Sequence, residues 1–284
     1  MKAKLYILFN YFIAIGISYF CFTLLNNKIN LLWATLISDL LCTLIIFMFS
    51  LIFNNSSCYD PYWSVIPPLI VLLWIINLSY WDLYSILILL TYLIWSIRLT
   101  YNWVTNWQGL THEDWRYVNF RKRFKKGYWF TSFMGIHIFP TIVVFLGLLP
   151  IYFGLQYLKV QYYSLFICGI LLSLLGVLIS YIADINLTKH RNSINRKKSI
   201  MSGIWKYSRH PNYLGEITFW LGSFITGLSY SLENYFTVIG FIGMVLLFNL
   251  YSIPSMEKRL IQSKEDYSMV INKVPRLLPI KFRK

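Results

Sequence analysis

Fifteen consecutive positions carry most of the side chains able to do chemistry: Ser202-Gly203-Ile204-Trp205-Lys206-Tyr207-Ser208-Arg209-His210-Pro211-Asn212-Tyr213-Leu214-Gly215-Glu216. Arg209 offers a planar donor fork that suits a phosphate. His210 can add a second hydrogen bond and part of a charge. Asn212 can grip an amide, donating and accepting at once. Glu216 needs a donor, such as a carboxamide or a cation. Pro211 suits the first turn of a helix, where its missing N–H costs nothing. The free N–H groups of that turn favour an anion. Upstream, Asp184 followed by Lys189 and Arg191 suits a ribose hydroxyl and phosphates. The competing reading is a structural network of the same groups at a helix–loop junction.

Other polar groups stand alone in apolar surroundings. Ionisable residues are costly in hydrocarbon, so each needs a partner or a water-filled cavity. Asp39 reads as an interhelical hydrogen bond or a protonated acid. His137, in an apolar run before Pro140, reads as a satisfied structural histidine. Arg98 either snorkels to lipid headgroups or belongs to a site. Asp60, before Pro61, marks a turn or helix start, or serves as an active-site acid. The segment from Pro254 through Glu257-Lys258-Arg259 and Asp266-Tyr267 to Pro279 reads as a short amphipathic helix and a terminal turn. It either covers a cofactor or anchors at the membrane surface.

The elements that position these groups are membrane helices. Of 284 residues, 57% are hydrophobic and only 13% charged, about half the charge of a soluble domain. Eight apolar blocks are near the length of a bilayer-spanning helix: about 5–25, 31–53, 62–79, 84–104, 131–153, 161–182, 214–230 and 235–253. The seventh is diluted by Glu216 and glycines, so seven spans remain an alternative. The expected fold is an all-α polytopic bundle of 7–8 transmembrane helices, forming one membrane domain over 1–284. The first block begins with Lys2 and Lys4 but has no small-residue cleavage site after it, and reads as a span. Cys21, Cys42 and Cys168 lie inside apolar blocks and Cys58 in a short connection. No Cys/His spacing suggests a metal.

The net charge is +15. Lys and Arg concentrate in 105–130, 183–213 and the tail from Pro254, which includes Lys281, Arg283 and Lys284. Basic loops stay cytoplasmic, so eight spans place all three segments, and both termini, on that side. These charges serve as topology signals attracted to anionic membrane lipids, or as a site for a phosphate-bearing cofactor. Their confinement to short loops argues against nucleic acid. Nothing in the sequence sets an oligomeric state.

The pattern Trp205-x-Tyr207-Ser208-Arg209-His210-Pro211-Asn212-Tyr213-x-Gly215-Glu216 resembles the steroid 5-alpha-reductase superfamily, in particular its bacterial DUF1295 branch. Asp184, Glu257-Lys258-Arg259, Trp95-x-x-Arg98-Leu99 and Glu113-Asp114-x-Arg116-Tyr117 extend the resemblance over about 55–280. The resemblance implies a helical bundle holding NADPH from the cytoplasmic side, with a lipid-like enone entering from the bilayer. It implies cofactor contacts at Asp184, Arg191, Lys198, Arg209, Asn212 and Glu216, with Tyr207, His210 and Tyr213 as further candidates. On the substrate side it points to Asp60, Trp95 and Arg98. The family's Tyr and Glu around the substrate carbonyl fall at Trp95 and near Asp60, so the cofactor half of the pattern is kept better than the substrate half. An indole N–H can donate a hydrogen bond but is no practical acid.

Three functions fit these residues. The first is an NADPH-dependent reductase of a lipid-like double bond. The second is a membrane methyltransferase using S-adenosylmethionine, like the isoprenylcysteine carboxyl methyltransferases, which share an Arg-His-Pro-x-Tyr-x-Gly element and a later Glu. The third is a non-enzymatic lipid-binding protein on the same fold.

Overall fold

The computed structural model describes residues 2–157 and 159–279. Lys281, Arg283 and Lys284 of the basic tail lie outside the described residues. The described residues are helical with no strand, as apolar blocks of span length require, since in hydrocarbon a helix satisfies its own backbone. Seven helical stretches among them are long and apolar enough to cross a membrane: Lys2–Asn26, Leu31–Ile52, Ser56–Asn77, Leu83–Asn106, Trp115–Leu155, Tyr163–Arg191 and Leu232–Ser263. The chain is an integral, multi-pass membrane protein. The seventh apolar block, diluted by Glu216 and glycines, is also a helix, Pro211–Leu228, of 18 residues.

The chain forms two compact units, Met1–Leu148 and Leu149–Lys284. The first holds α1 (Lys2–Asn26), α2 (Leu31–Ile52), α3 (Tyr62–Asn77), α4 (Leu83–Asn106), α5 (Trp115–Phe124) and α6 (Tyr128–Thr131). A π-helical stretch, Ser132–Ile138, then leads into α7 (Phe139–Leu155). Asn30 caps α2 by accepting from the Leu32 amide at 2.8 Å, and Asp82 and Ser85 cap α4 reciprocally. Both caps satisfy helix-start N–H groups that would otherwise lack partners.

The core of this unit is polar for a membrane bundle. The Tyr62 hydroxyl donates to Asp39 Oδ1 at 2.7 Å. Thr141 Oγ1 meets the Tyr59 hydroxyl and Thr43 Oγ1, each at 2.8 Å. His137 sets one ring nitrogen 3.1 Å from Ser50 Oγ and the other 3.0 Å from the Ser132 carbonyl. Asp39 and His137 are thus structural, holding helices together by side-chain bonds as membrane interiors do.

The second unit is organised by α8 (Tyr163–Arg191) and α9 (Pro211–Leu228). Small residues let their backbones touch. A Cβ at Gly176 would lie 2.5 Å from the Phe219 amide nitrogen, and one at Gly222 would lie 2.5 Å from that of Ser173. Ser173 Oγ donates to the Phe219 carbonyl at 3.2 Å and Ser180 Oγ to that of Asn212 at 3.1 Å. This is the small-residue packing that replaces hydrophobic driving force in a bilayer. A helical run through α10 (Val238–Leu246), a π-helical stretch (Leu247–Ser252) and α11 (Ile253–Ser263) follows, then α12 (Tyr267–Lys273). Each π-helical stretch lies just before a proline, Pro140 or Pro254. A proline ring excludes the i−4 bond, and the preceding turn widens.

Candidate functional site

The α8/α9 register brings the sequence-marked residues of the second unit to one end of that helix pair. The Ser180–Asn212 bond fixes the start of α9 against α8. Asp184 lies one turn beyond Ser180 on the same face of α8, since residues four apart share a face. By the same spacing Glu216 lies one turn below Asn212, and it is buried. Trp205 clamps the connection by donating its indole N–H to the Ala183 carbonyl at 3.1 Å. Gly203 reverses the chain with φ +59°, and a Cβ there would collide with the Asn186 side chain.

Arg209 is held by the C-terminal segment. Its Nε donates to Glu257 Oε1 at 2.9 Å, and one Nη donates to the carbonyls of Ile271 and Val274, both at 2.9 Å. Its backbone N–H donates to the Pro275 carbonyl at 2.9 Å. The fork expected to meet phosphate is therefore largely spent on protein groups, capping the end of α12. His210 Nε2 sits 3.1 Å from the same Glu257 oxygen, and its ring stacks on Tyr213, which stacks on Phe248. Burial pushes the His210 pKa below its ordinary 6.5, against the pull of the Glu257 carboxylate. Burial wins because His210 is only 2% exposed. The ring is neutral at physiological pH.

Asn212 Oδ1 is buried and has no hydrogen-bond partner among the described residues. Tyr207 is exposed at 56%, with Lys206 Nζ 4.7 Å from its ring centre. Arg191 ends α8 and lies within electrostatic reach of Asp184 and Arg259. With Arg196 and Lys197 it lines an open hollow of about 550 Å³, whose other walls are Asn192, Ser193 and Ile194. Lys198 closes that loop. Its carbonyl receives His190 Nε2 at 2.8 Å, and the next residue, Ser199, donates its hydroxyl to Asp266 at 2.7 Å.

In the first unit, Asp60 ends a short helical turn, Ser56–Tyr59, as its position before Pro61 suggests. Its Oδ1 also accepts from the Tyr117 hydroxyl at 2.5 Å. Trp95 is buried in α4, edge-on to Tyr92. Arg98 lies one turn further on. Ser64 and Thr100 bond at 2.9 Å, joining the start of α3 to the late turns of α4, so Asp60 and Arg98 lie at the same end of that pair. Sequence reasoning noted Tyr117 in a motif but not its bond to Asp60. The two lie 57 positions apart, so no local spacing pairs them.

A family profile described as "Protein of unknown function (DUF1295)" matches residues 46–274. The chain is a DUF1295 protein. The family is the steroid 5-alpha-reductase-like membrane family. The DUF1295 match runs from the last turns of α2 through α12, and so takes in every sequence-marked site residue in both units. A Schizosaccharomyces pombe protein described as uncharacterized is 26% identical over 254 residues, covering 80% of this chain and 73% of its own length. No solved structure matches the DUF1295 chain.

Proposed function

We propose that this DUF1295 protein is a membrane-embedded reductase that holds NADPH in its second unit and saturates a carbon–carbon double bond conjugated to a carbonyl in a lipid-like substrate. The observation that carries the reading is the buried, unpartnered Asn212 Oδ1 at the first turn of α9. A buried acceptor without a donor is costly, and a carboxamide N–H₂ supplies the missing donor. Asp184 and Glu216 flank that point as acceptors for ribose hydroxyls and amide protons. NADPH, when bound, supplies the hydride.

The length of α8 supports a soluble phosphate ligand over lipid headgroups. Its 29 residues span about 43 Å at about 1.5 Å each, some 13 Å beyond a hydrocarbon core of about 30 Å. The surplus carries Asp184, Lys189 and Arg191 into water. It also lifts the hollow of Arg191, Arg196 and Lys197 clear of the bilayer, and among the described residues no carboxylate lines it. Arg191 and Lys198 are assigned to phosphates. Arg209 positions the site by holding the C-terminal segment, and His210 and Tyr213 form the stack beneath the α9 start. Tyr207 is placed at the exposed rim. The basic loops put this end on the cytoplasmic side.

On the substrate side, Arg98 and the Trp95 N–H are donors for a carbonyl. Neither is a practical acid. The Tyr117 hydroxyl, ordered by Asp60, can deliver a proton. Net reduction adds the hydride to the carbon β to the carbonyl and a proton to the α carbon.

The test is thermal stability of the purified protein in mild detergent, titrated with NADPH, NADH and S-adenosylmethionine. A ligand that binds only the folded state raises the melting point by mass action. The reductase reading expects a rise with NADPH that Asn212→Ala and Arg191→Ala diminish. A rise with S-adenosylmethionine alone overturns it in favour of methyl transfer.

A further inference from the structure

The first unit carries a cluster of cations that its own carboxylates leave unmatched. Residues 122–127 are all exposed, and Lys122, Arg123, Lys125 and Lys126 are among them. None of these cations makes an ion pair among the described residues. The two carboxylates just before α5 are already engaged. Glu113 accepts from Arg121, from the Tyr128 hydroxyl at 3.0 Å and from the Ser56 amide at 2.8 Å. Asp114 accepts from Arg116 at 2.8 Å. From Trp115 to Ala183 the sequence has no Asp or Glu at all. The positive charge at the end of α5 is left for a partner outside the chain.

We propose that Lys122, Arg123, Lys125 and Lys126, with Phe124 and Phe130, form a docking surface for the headgroups of anionic phospholipids. The surface stands independently of the reductase reading. Its apolar part separates a lipid from a soluble anion. Phe130 is 74% exposed and Phe124 38%. Phe120 braces Phe124 edge-on at 5.8 Å, and the Arg123 guanidinium lies 5.3 Å from the Phe124 ring centre. A soluble phosphate gains nothing from bare rings. A phospholipid does, because its phosphate meets the cations while its glycerol and upper acyl chain cover the rings.

Depth agrees. The helical stretch Trp115–Leu155 has 41 residues, more than one crossing needs. Its later part alone, the 7 residues of the π-helical stretch and the 17 of α7, rises roughly 35 Å at about 1.5 Å per residue. That crosses a hydrocarbon core of about 30 Å. α5 and the turn after it are therefore surplus, held at the headgroup level where aromatic and basic residues gather. The basic loops put this level on the cytoplasmic side, whose leaflet carries anionic lipid. Arg121 supports the surface from behind. Bound to Glu113, its guanidinium lies 4.1 Å from the Tyr128 ring centre and 4.7 Å from that of Trp129. Lys125 turns the chain out of α5 with φ +43°, a conformation that favours glycine over any residue with a Cβ.

The test follows the melting point of the purified protein in a neutral detergent as phosphatidylglycerol, phosphatidylcholine or inorganic pyrophosphate is added. One variant combines Lys122→Gln, Arg123→Gln, Lys125→Gln and Lys126→Gln. A charge-matched control combines Lys189→Gln, Lys206→Gln, Lys258→Gln and Lys273→Gln in the second unit. All of these positions are exposed, so both variants keep their packing. Phosphatidylglycerol is expected to raise the wild-type melting point at concentrations where phosphatidylcholine and pyrophosphate leave it in place. One cation near an anionic surface is worth about fivefold in affinity. The α5 variant should therefore bind phosphatidylglycerol on the order of a hundredfold more weakly, and the control less than about fivefold more weakly. Lys125→Gly should melt at or above wild type without lipid, because the turn is relieved, and bind phosphatidylglycerol about fivefold more weakly. An equal response to phosphatidylcholine, equal losses in the two combined variants, or unchanged affinity in Lys125→Gly overturns the surface. So does a pyrophosphate shift that the α5 variant abolishes, which makes the ligand a soluble phosphate.

Discussion

Arg209 and Glu257, 48 residues apart in the chain, meet at 2.9 Å with their side chains only 10% and 17% exposed. The pair joins the connection before α9 to α11. The remaining Arg209 donors extend the hold to the end of α12. Removing one partner from a buried pair strands the other charge, a loss of about 3–5 kcal/mol. Arg209→Ala and Glu257→Ala should each lower the melting point of the ligand-free protein. The double variant should cost less than the sum of the two, because partners in one pair are not additive. Equal additive losses would show that the pair does not act as a unit.

The glycine contacts of α8 and α9 make a second point. Gly176→Leu must push the helices apart against backbone rather than against a flexible side chain. Overpacking of this kind costs about 3 kcal/mol or more. Because Asp184 and Asn212 are set by the same register, the variant should also lose any ligand response. Gly16→Leu, where a Cβ meets nothing, is the control and should leave stability within about 0.5 kcal/mol of wild type.

His210 predicts a pH dependence. Its folded pKa lies below the unfolded value of 6.5, so the unfolded chain binds more protons in the window between them. Stability is therefore full above about pH 6.5 and falls as pH drops through the window toward the folded pKa. The groups that face the ring are Arg209, Glu257, Arg276 and Tyr213. Melting points taken from pH 7.5 down to about 5.5 should drop more steeply in wild type than in His210→Gln. Parallel curves would contradict a neutral buried imidazole.

In the first unit, Tyr117→Phe removes the hydroxyl that donates to Asp60 Oδ1, at a loss of about 1–3 kcal/mol. Under the reductase reading it also abolishes the proton source, so turnover should fall further than NADPH affinity does. Tyr101→Phe, an exposed tyrosine of α4, should change neither.

Much of this architecture could be read from the sequence because it follows from local pattern. Apolar runs of span length became helices. Pro211 opened α9, as a proline at a helix start should. The dilution of block 214–230 by Glu216 and glycine has a structural meaning: Gly215 and Gly222 face α8, and Gly227 faces Pro150, rather than lipid. The pairing of the site could not be read in the same way. Arg209 looked like a free fork because its acceptors are carbonyls of Ile271 and Val274, and a backbone carbonyl has no residue signature. Asp60 and Tyr117 were each visible, but their bond depends on the path of the chain between them. Tyr267 looked like an ordinary tail residue, and only the path of the C-terminal segment buries it.

The measurement that tests the central claim most directly is equilibrium binding of NADPH to the purified, folded protein, followed by fluorescence of the reduced nicotinamide. The account expects saturable binding that NADP⁺ competes and S-adenosylmethionine does not, weakened about tenfold or more in Asn212→Ala, where the one amide acceptor is lost. No saturable binding by a protein that melts cooperatively, or binding that Asn212→Ala leaves untouched, would contradict it.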